Sequence, residues 1–389
     1  MTGTLEYRTG VLDSLGASPS EGKELLFYNK NLFDHFLFEK PVVFPLDDES
    51  FLAAWKEYAR VAEKKGAFQS LKEYLVQLNF PIREGISERL YYKSAVRRGV
   101  PAGEISEATG LKLKEPESLS LLIHPTPAGY VPIIVVDCRE DFVLLTQALS
   151  KRNEPAIVPE SMGATIVKGY NNWDRINRLR RAWEEEHSDI LGISGWPEEF
   201  KRIAANKELY QDSFIILSSG SYSNVSAKEM DLTEEEWKGL SLIIRREHEC
   251  AHYFCLRMFS SIQNNILDEI MADYMGITAA AGWFRADWFL RFMGLENYPD
   301  YREGGRLENY KGNPPLSDGA FKILGRLVKK TAENVEYFDK KYVGDKRTLI
   351  DRAILMSALS FLTLEELASD EGPFLLQKAL EKVKGRLNA

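Results

Sequence analysis

Three cysteines, Cys138, Cys250 and Cys255, are too few and too oddly spaced to frame a disulfide scaffold. Cys250 and Cys255 belong to one helical pattern, where they could not easily bridge, so a reducing compartment is expected. Long apolar runs are also missing. The best candidate, AILMSALSFLTL at 353–364, is interrupted by polar residues and falls short of the ~18 apolar residues of a membrane span. The opening stretch, MTGTLEYRTGVLDSLG, contains acids and no apolar core, which argues against a secretory leader. A cytoplasmic protein with no membrane partner is the expectation. Positive charge is in deficit: 50 Lys and Arg face 58 Asp and Glu, a net charge of −8, with no basic tract. Nucleic acid is therefore not expected as a partner. What remains is ordinary globular composition, 44% hydrophobic and 28% charged, in a chain long enough to bury a core without staples. A metal, if held, would be held for chemistry.

The pattern divides the chain at about residue 112. Residues 1–20 read as a loose arm, and the remainder of 1–112 as a mostly helical region with no evident chemistry. There DDESFLAAWKEYARVAEKKG (47–66) repeats apolar residues at steps of three and four behind acidic cap candidates. SLKEYLVQLNFP stops at Pro81, and ISERLYYKSAVRRGVP ends at Gly99 and Pro101. From 113 the character changes. SLSLLIHPTPAGYVPIIVVDC reads as two strands joined by a Pro/Gly turn, REDFVLLTQALS as a helix and ATIVKGY as a strand. Helices are expected at 172–187 and 197–208, and SFIILSS returns to strand. The residues from 231 to 389 are helical in pattern, apart from a loop rich in Gly, Pro and Tyr at 298–319. The expectation is an α+β chain: a helical N-terminal region (1–112), then a domain (113–389) with a small mixed sheet (113–230) and a helical subdomain (231–389).

Of five histidines, His35, His124 and His187 read as packed or surface residues, whereas His248 and His252 stand four apart in RREHECAHYFCLRMF. Thr233 and Glu236 form a capping box that starts a helix there. An apolar stripe of Trp237, Leu240, Ile244, Ala251, Cys255 and Met258 runs along it, and both histidines fall on that stripe. Imidazoles one turn apart share a face and can grip one ion, while Glu249 is turned about 100 degrees away. His-Glu-x-x-His should arise by chance in fewer than about one in a hundred such chains.

A second helix, ILDEIMADYMGITAAAGWF, follows a break near SSIQNN at 260–265. With Ser260–Ser261 as the bend of an antiparallel pair, His252 and Glu269 both lie about 12 Å from the turn. His248 and Asp273 are level one turn further out. Glu269 then completes a three-ligand site, and Asp273 accepts the other ring N–H of His248. Carboxylates buried four apart on an apolar helix would be costly without a cation.

HECAH followed by DEIMAD resembles the gluzincin branch of the zincin metallopeptidases, the thermolysin-like class, over roughly residues 213–276. The resemblance implies one Zn2+ held by His248, His252 and Glu269, with Asp273 supporting a ligand from behind, and a zincin-like active-site helix pair. It implies Glu249 as the general base in hydrolysis of a peptide or small amide substrate. It also implies that SFIILSSGSYSN lies beside the active-site helix and pairs with extended substrate. Sixteen residues separate His252 from Glu269, slightly fewer than in the thermolysin type, so the pair must turn tightly. Tyr222, Tyr253, Arg306 and Tyr310 are candidates to stabilise an oxyanion. Three other functions fit the same residues: a zinc hydrolase of a small-molecule amide or ester, an interaction protein with a relic site, and a helical binding module with a chance motif. Glu249 favours the enzymes, because a relic has no use for the base.

Overall fold

A computed structural model describes residues 4–39, 42–187, 195–261, 265–344 and 347–387. Helices α1 (Leu5–Ser14) and α2 (Pro19–Tyr28) open the chain, followed by α3 (Leu52–Lys65), α4 (Ala67–Tyr74) and α5 (Leu90–Arg98). Then come β1 (Ser120–Thr126), β2 (Gly129–Val136), α6 (Arg139–Ser150), β3 (Ala164–Asn171), α7 (Trp173–Glu186), α8 (Trp196–Ala205) and β4 (Gln211–Ser218). Seven helices complete it: α9 (Glu234–Phe259), α10 (Ile266–Ala281), α11 (Ala286–Met293), α12 (Asp318–Tyr342), α13 (Leu349–Ser360), α14 (Leu364–Ala368) and α15 (Gly372–Leu387). Among the described residues, no helix is long and apolar enough to cross a membrane.

Contacts divide the chain into two compact units, one of residues 1–47, 126–128 and 221–389, the other of 48–125 and 129–220. These units do not follow a cut at 112. The helices between 52 and 98 belong with the sheet, and the first 47 residues with the C-terminal helices. Periodicity reports what an element is, not which distant element shares its core.

The opening residues are not a loose arm. Thr4 caps α1, and Ser18 with Glu21 forms a capping box on α2 with Pro19 at its first position. Conversely, the acids at 47–49 do not cap α3, whose start at Phe51 has no side-chain cap. Asp48 instead accepts a hydrogen bond from the Tyr130 N–H at 3.0 Å.

In the sheet-containing unit the strand order is β1-β2-β4-β3, with β2 parallel and β3 antiparallel to β4. Ile134, Val136, Phe214 and Ile216 share a core with Trp55, Tyr58, Phe68 and Leu71 of α3 and α4 and with Phe142 and Leu145 of α6. β4 is flanked on both sides. Its ladder bonds are thus taken, and the expected pairing of SFIILSS with an extended substrate is corrected.

In the other unit α9 begins at the Thr233 capping box, as its sequence signals, and ends at Ser260 in a left-handed conformation (φ 54°). α10 begins at Asn265, whose side chain accepts from the Asp268 N–H at 3.1 Å. Contacts run in opposite senses along the pair, Ile244 with Gly276 and His248 with Asp273, so the helices are antiparallel. Gly276 permits the approach: a Cβ there would sit 2.6 Å from the Ile244 carbonyl oxygen. Gly276→Ala should therefore cost about 1–3 kcal/mol by forcing the helices apart. Gly239→Ala on exposed α9 surface meets nothing within 4 Å and should stabilise by up to about 1 kcal/mol. Denaturation midpoints of the two variants check the contrast.

His35 lies where its sequence reading placed it, in packing. Its ring stacks on Phe361 at 4.1 Å, and its Nε2 is 3.0 Å from the Ser360 hydroxyl. That hydroxyl already donates to the Ser357 carbonyl, so Nε2 carries a hydrogen and donates it to Ser360. Burial pushes the His35 pKa down to about 4, with Arg386 lowering it further and Asp34 opposing. The folded value lies below the unfolded one, so stability is full above about pH 6.5 and is lost as pH falls towards 4. For this half-buried group the loss should reach about 2 kcal/mol. His35→Gln should flatten the acid side of a stability–pH curve; an unchanged curve would remove His35 from that role.

Candidate metal centre

The site forms where one turn of α9 faces one turn of α10. His248, His252 and Glu269 are buried, and one donor atom from each lies within 4.8 Å of the others. Among the described residues this is the one grouping of three such side chains able to hold a metal ion. The two Nε2 atoms are 3.0 Å apart. Glu269 Oε2 is 3.7 Å from the first and its Oε1 3.6 Å from the second.

Carboxylates stand behind both rings. His248 Nδ1 lies 2.9 Å from Asp273 Oδ1, and His252 Nδ1 lies 3.4 Å from Asp268 Oδ2. A carboxylate only accepts, so His248 Nδ1 bears the hydrogen. His252 Nδ1 makes no hydrogen bond among the described residues, but the negative charge of Asp268 favours the same tautomer, and each Nε2 lone pair turns inward when the ring is neutral. Two lone pairs at 3.0 Å repel unless positive charge lies between them. Burial alone would lower the His252 pKa, but Asp268 and Glu269 raise it well above the ordinary imidazole value. A proton is thus strongly favoured between the rings, and the same field favours any small cation.

Asp273 was placed by register reasoning and is fully buried. It is held by three groups: His248, the Tyr222 hydroxyl at 2.5 Å, and Arg306 Nη2. Arg306 also donates to the Tyr222 oxygen at 2.7 Å and comes within 3.7 Å of Glu269. Burial would raise the Glu269 carboxyl, yet His252 beside it and the charges of His248 and Arg306 hold it well below the usual carboxylate range. Asp273 is likewise lowered against its burial, chiefly by Arg306. Burial and the nearby charge of Glu269 push the Tyr310 hydroxyl up.

The four oxyanion candidates thus divide. Tyr222 and Arg306 are engaged with Asp273, Tyr310 lies near enough to feel the charge of Glu269, and Tyr253 is a buried core residue. Glu249 is half-buried on α9 and has no hydrogen bond or ion pair among the described residues. His187 caps α7 and stacks on Trp183 at 4.5 Å, a structural role. Asp268 escaped the sequence reading. Its signal was two adjacent acids opening an otherwise apolar helix, and helix-dipole complementarity explains such a pair just as well.

A concavity of about 770 Å3 is lined by Phe27, Tyr28, Leu32, Asn265, Pro314 and Leu316. Asn265 caps the helix that carries Glu269, and the Tyr28 hydroxyl donates to the Tyr310 carbonyl at 2.7 Å.

A model described as a family of unknown function, DUF7005, matches residues 10–371. The chain belongs to this family. No curated protein and no solved structure matches it. The span matched by DUF7005 contains every residue of the site, from Tyr28 to Tyr310.

Proposed function

We propose that the chain is a zinc-dependent hydrolase of peptide bonds, with α9 and α10 as a zincin-like helix pair. One observation carries the reading: two inward Nε2 atoms and a Glu269 oxygen converge, while Asp273 and Asp268 back the opposite ring nitrogens. Metal-ligating histidines are held in this way, and two imidazoles with one carboxylate suit zinc.

Charge supports it as well. Buried Glu269 and Asp273 face one guanidinium, that of Arg306, so one negative charge exceeds the positive charge at this pair when the rings are neutral. A bound cation offsets that excess. Without one, the burial would be paid for only by protonating the histidines.

His248, His252 and Glu269 would hold the zinc, which supplies Lewis acidity towards water and the scissile carbonyl. Glu249 takes a proton from the attacking water and delivers it to the leaving amine. It has no hydrogen bond or ion pair among the described residues, which keeps it available for that task. Tyr222 and Arg306 fix Asp273, and Asp273 fixes the ring of His248, so this part of the site is set before substrate arrives. The 770 Å3 concavity, where Phe27 and Leu32 are 79% and 57% exposed, offers apolar surface to a substrate side chain.

The test is a peptide mixture of varied sequence incubated with zinc-loaded protein, with new termini read by mass spectrometry. Cleavage that a chelator stops and zinc restores is expected. Intact peptides after exposure to fully loaded protein would refute peptide hydrolysis.

A further inference from the structure

We propose that the sheet-containing unit carries a separate binding site for a small polyanion, a metabolite bearing phosphate or several carboxylates. A concavity of about 480 Å3, a size suited to such a ligand, lies against edge strand β3. Arg97 at the end of α5, Lys151 and Arg152 just after α6, and Lys168 on β3 all line it, and among the described residues no carboxylate does.

This rim is unusual for a chain of net charge −8. Elsewhere in the same unit cations find acids: Lys93 meets Glu88 at 2.6 Å, Lys114 meets Glu140 at 2.8 Å, and Arg178 meets Glu57 at 2.5 Å. The four rim cations have no ion pair or side-chain hydrogen bond among the described residues. The neighbouring acids are already committed, Glu88 to Lys93 and Glu154 to the backbone N–H groups of Gly85 and Ser87, both at 2.8 Å.

Ordinary roles account for two of the four. Lys168 discourages strand addition at an open edge, and Lys151 offsets the negative end of α6. They do not account for Arg152. Its φ of 57° lies in the left-handed region, which an arginine rarely adopts, and Asn153 follows at 60°. Asn153 clamps this turn from within. It is fully buried, donates to the Gln77 and Phe80 carbonyls at 3.0 and 3.1 Å, and accepts from the Tyr92 hydroxyl at 2.9 Å. A buried network thus holds strained backbone and presents one guanidinium at the concavity. Tyr92 and Tyr170 make a rigid floor, their hydroxyls committed to Asn153 and Gln77. Recognition is left to the cations, and the arginines suit bidentate binding of phosphate or carboxylate oxygens.

The test is calorimetric titration of the full chain with pyrophosphate and, separately, with citrate at fixed ionic strength. The expected result is one equivalent bound, at least about tenfold more weakly by Arg97→Gln and by Arg152→Gly. Arg152→Gly gives a second readout. Glycine relieves the left-handed strain, so its thermal midpoint should rise while its affinity falls; a purely structural arginine would move the midpoint down. Pyrophosphate alone binding identifies a phosphate ligand, citrate alone a polycarboxylate. Both anions also bind zinc, so heat that persists unchanged in the two variants belongs to the metal. That result, or no binding at millimolar anion, would overturn the proposal.

Discussion

Glu249→Gln is expected to hold one zinc per chain, like the wild type, and to cleave peptides about a thousandfold more slowly. The amide keeps the size of the carboxylate but cannot take a proton. Glu249 lies one residue beyond His248 on α9, so its side chain leaves the helix about 100 degrees from the donors that face Glu269. It is half-buried and makes no hydrogen bond or ion pair among the described residues, so no structural contact is lost with its charge. Stability should be unchanged, and zinc content should stay at one equivalent. Equal activity in both proteins would take Glu249 out of the mechanism, and loss of zinc with activity would make it a ligand.

Removing the ion should have the second large effect. Asp268, Glu269 and Asp273 are all buried, and the Arg306 guanidinium reaches Glu269 and Asp273. Without the dication, balance falls to protonated histidine, a weaker counter-charge than a divalent ion. A ligand that binds only the folded state at a thousand times its dissociation constant contributes about 4 kcal/mol. Chelation should therefore lower the thermal midpoint by several degrees, and zinc should restore it. His248→Ala should lose both the metal and the response to chelator. In that variant Asp273 keeps Arg306 and Tyr222 as partners, so the fold should survive. The same midpoint with and without chelator would mean that the buried acids are balanced by protons alone.

How much of this was legible depends on the range of the signal. The capping box at Thr233 and Glu236 and the apolar stripe behind it are local, so α9 could be placed from its residues. The match of His252 with Glu269 and His248 with Asp273 needed only one bend, near Ser260, and helical rise did the rest. Arg306 could be named but not placed. It comes from a loop far along the chain, and nothing in GGRLENYKG says that its guanidinium turns onto Asp273. The cut at 112 failed for a similar reason: α3 packs on strands that follow much later, and α1 and α2 belong with helices beyond residue 221. Helix α1 was missed because its apolar face is weak, and the start of α2 was missed although Ser18, Pro19 and Glu21 spelled out a cap.

Zinc titration of the metal-free chain beside Glu269→Ala examines the central claim most directly. The account predicts one tight equivalent for the wild type and binding at least about a hundredfold weaker when the carboxylate is removed. Equal affinity in the two proteins, or no tight equivalent in the wild type, would contradict it.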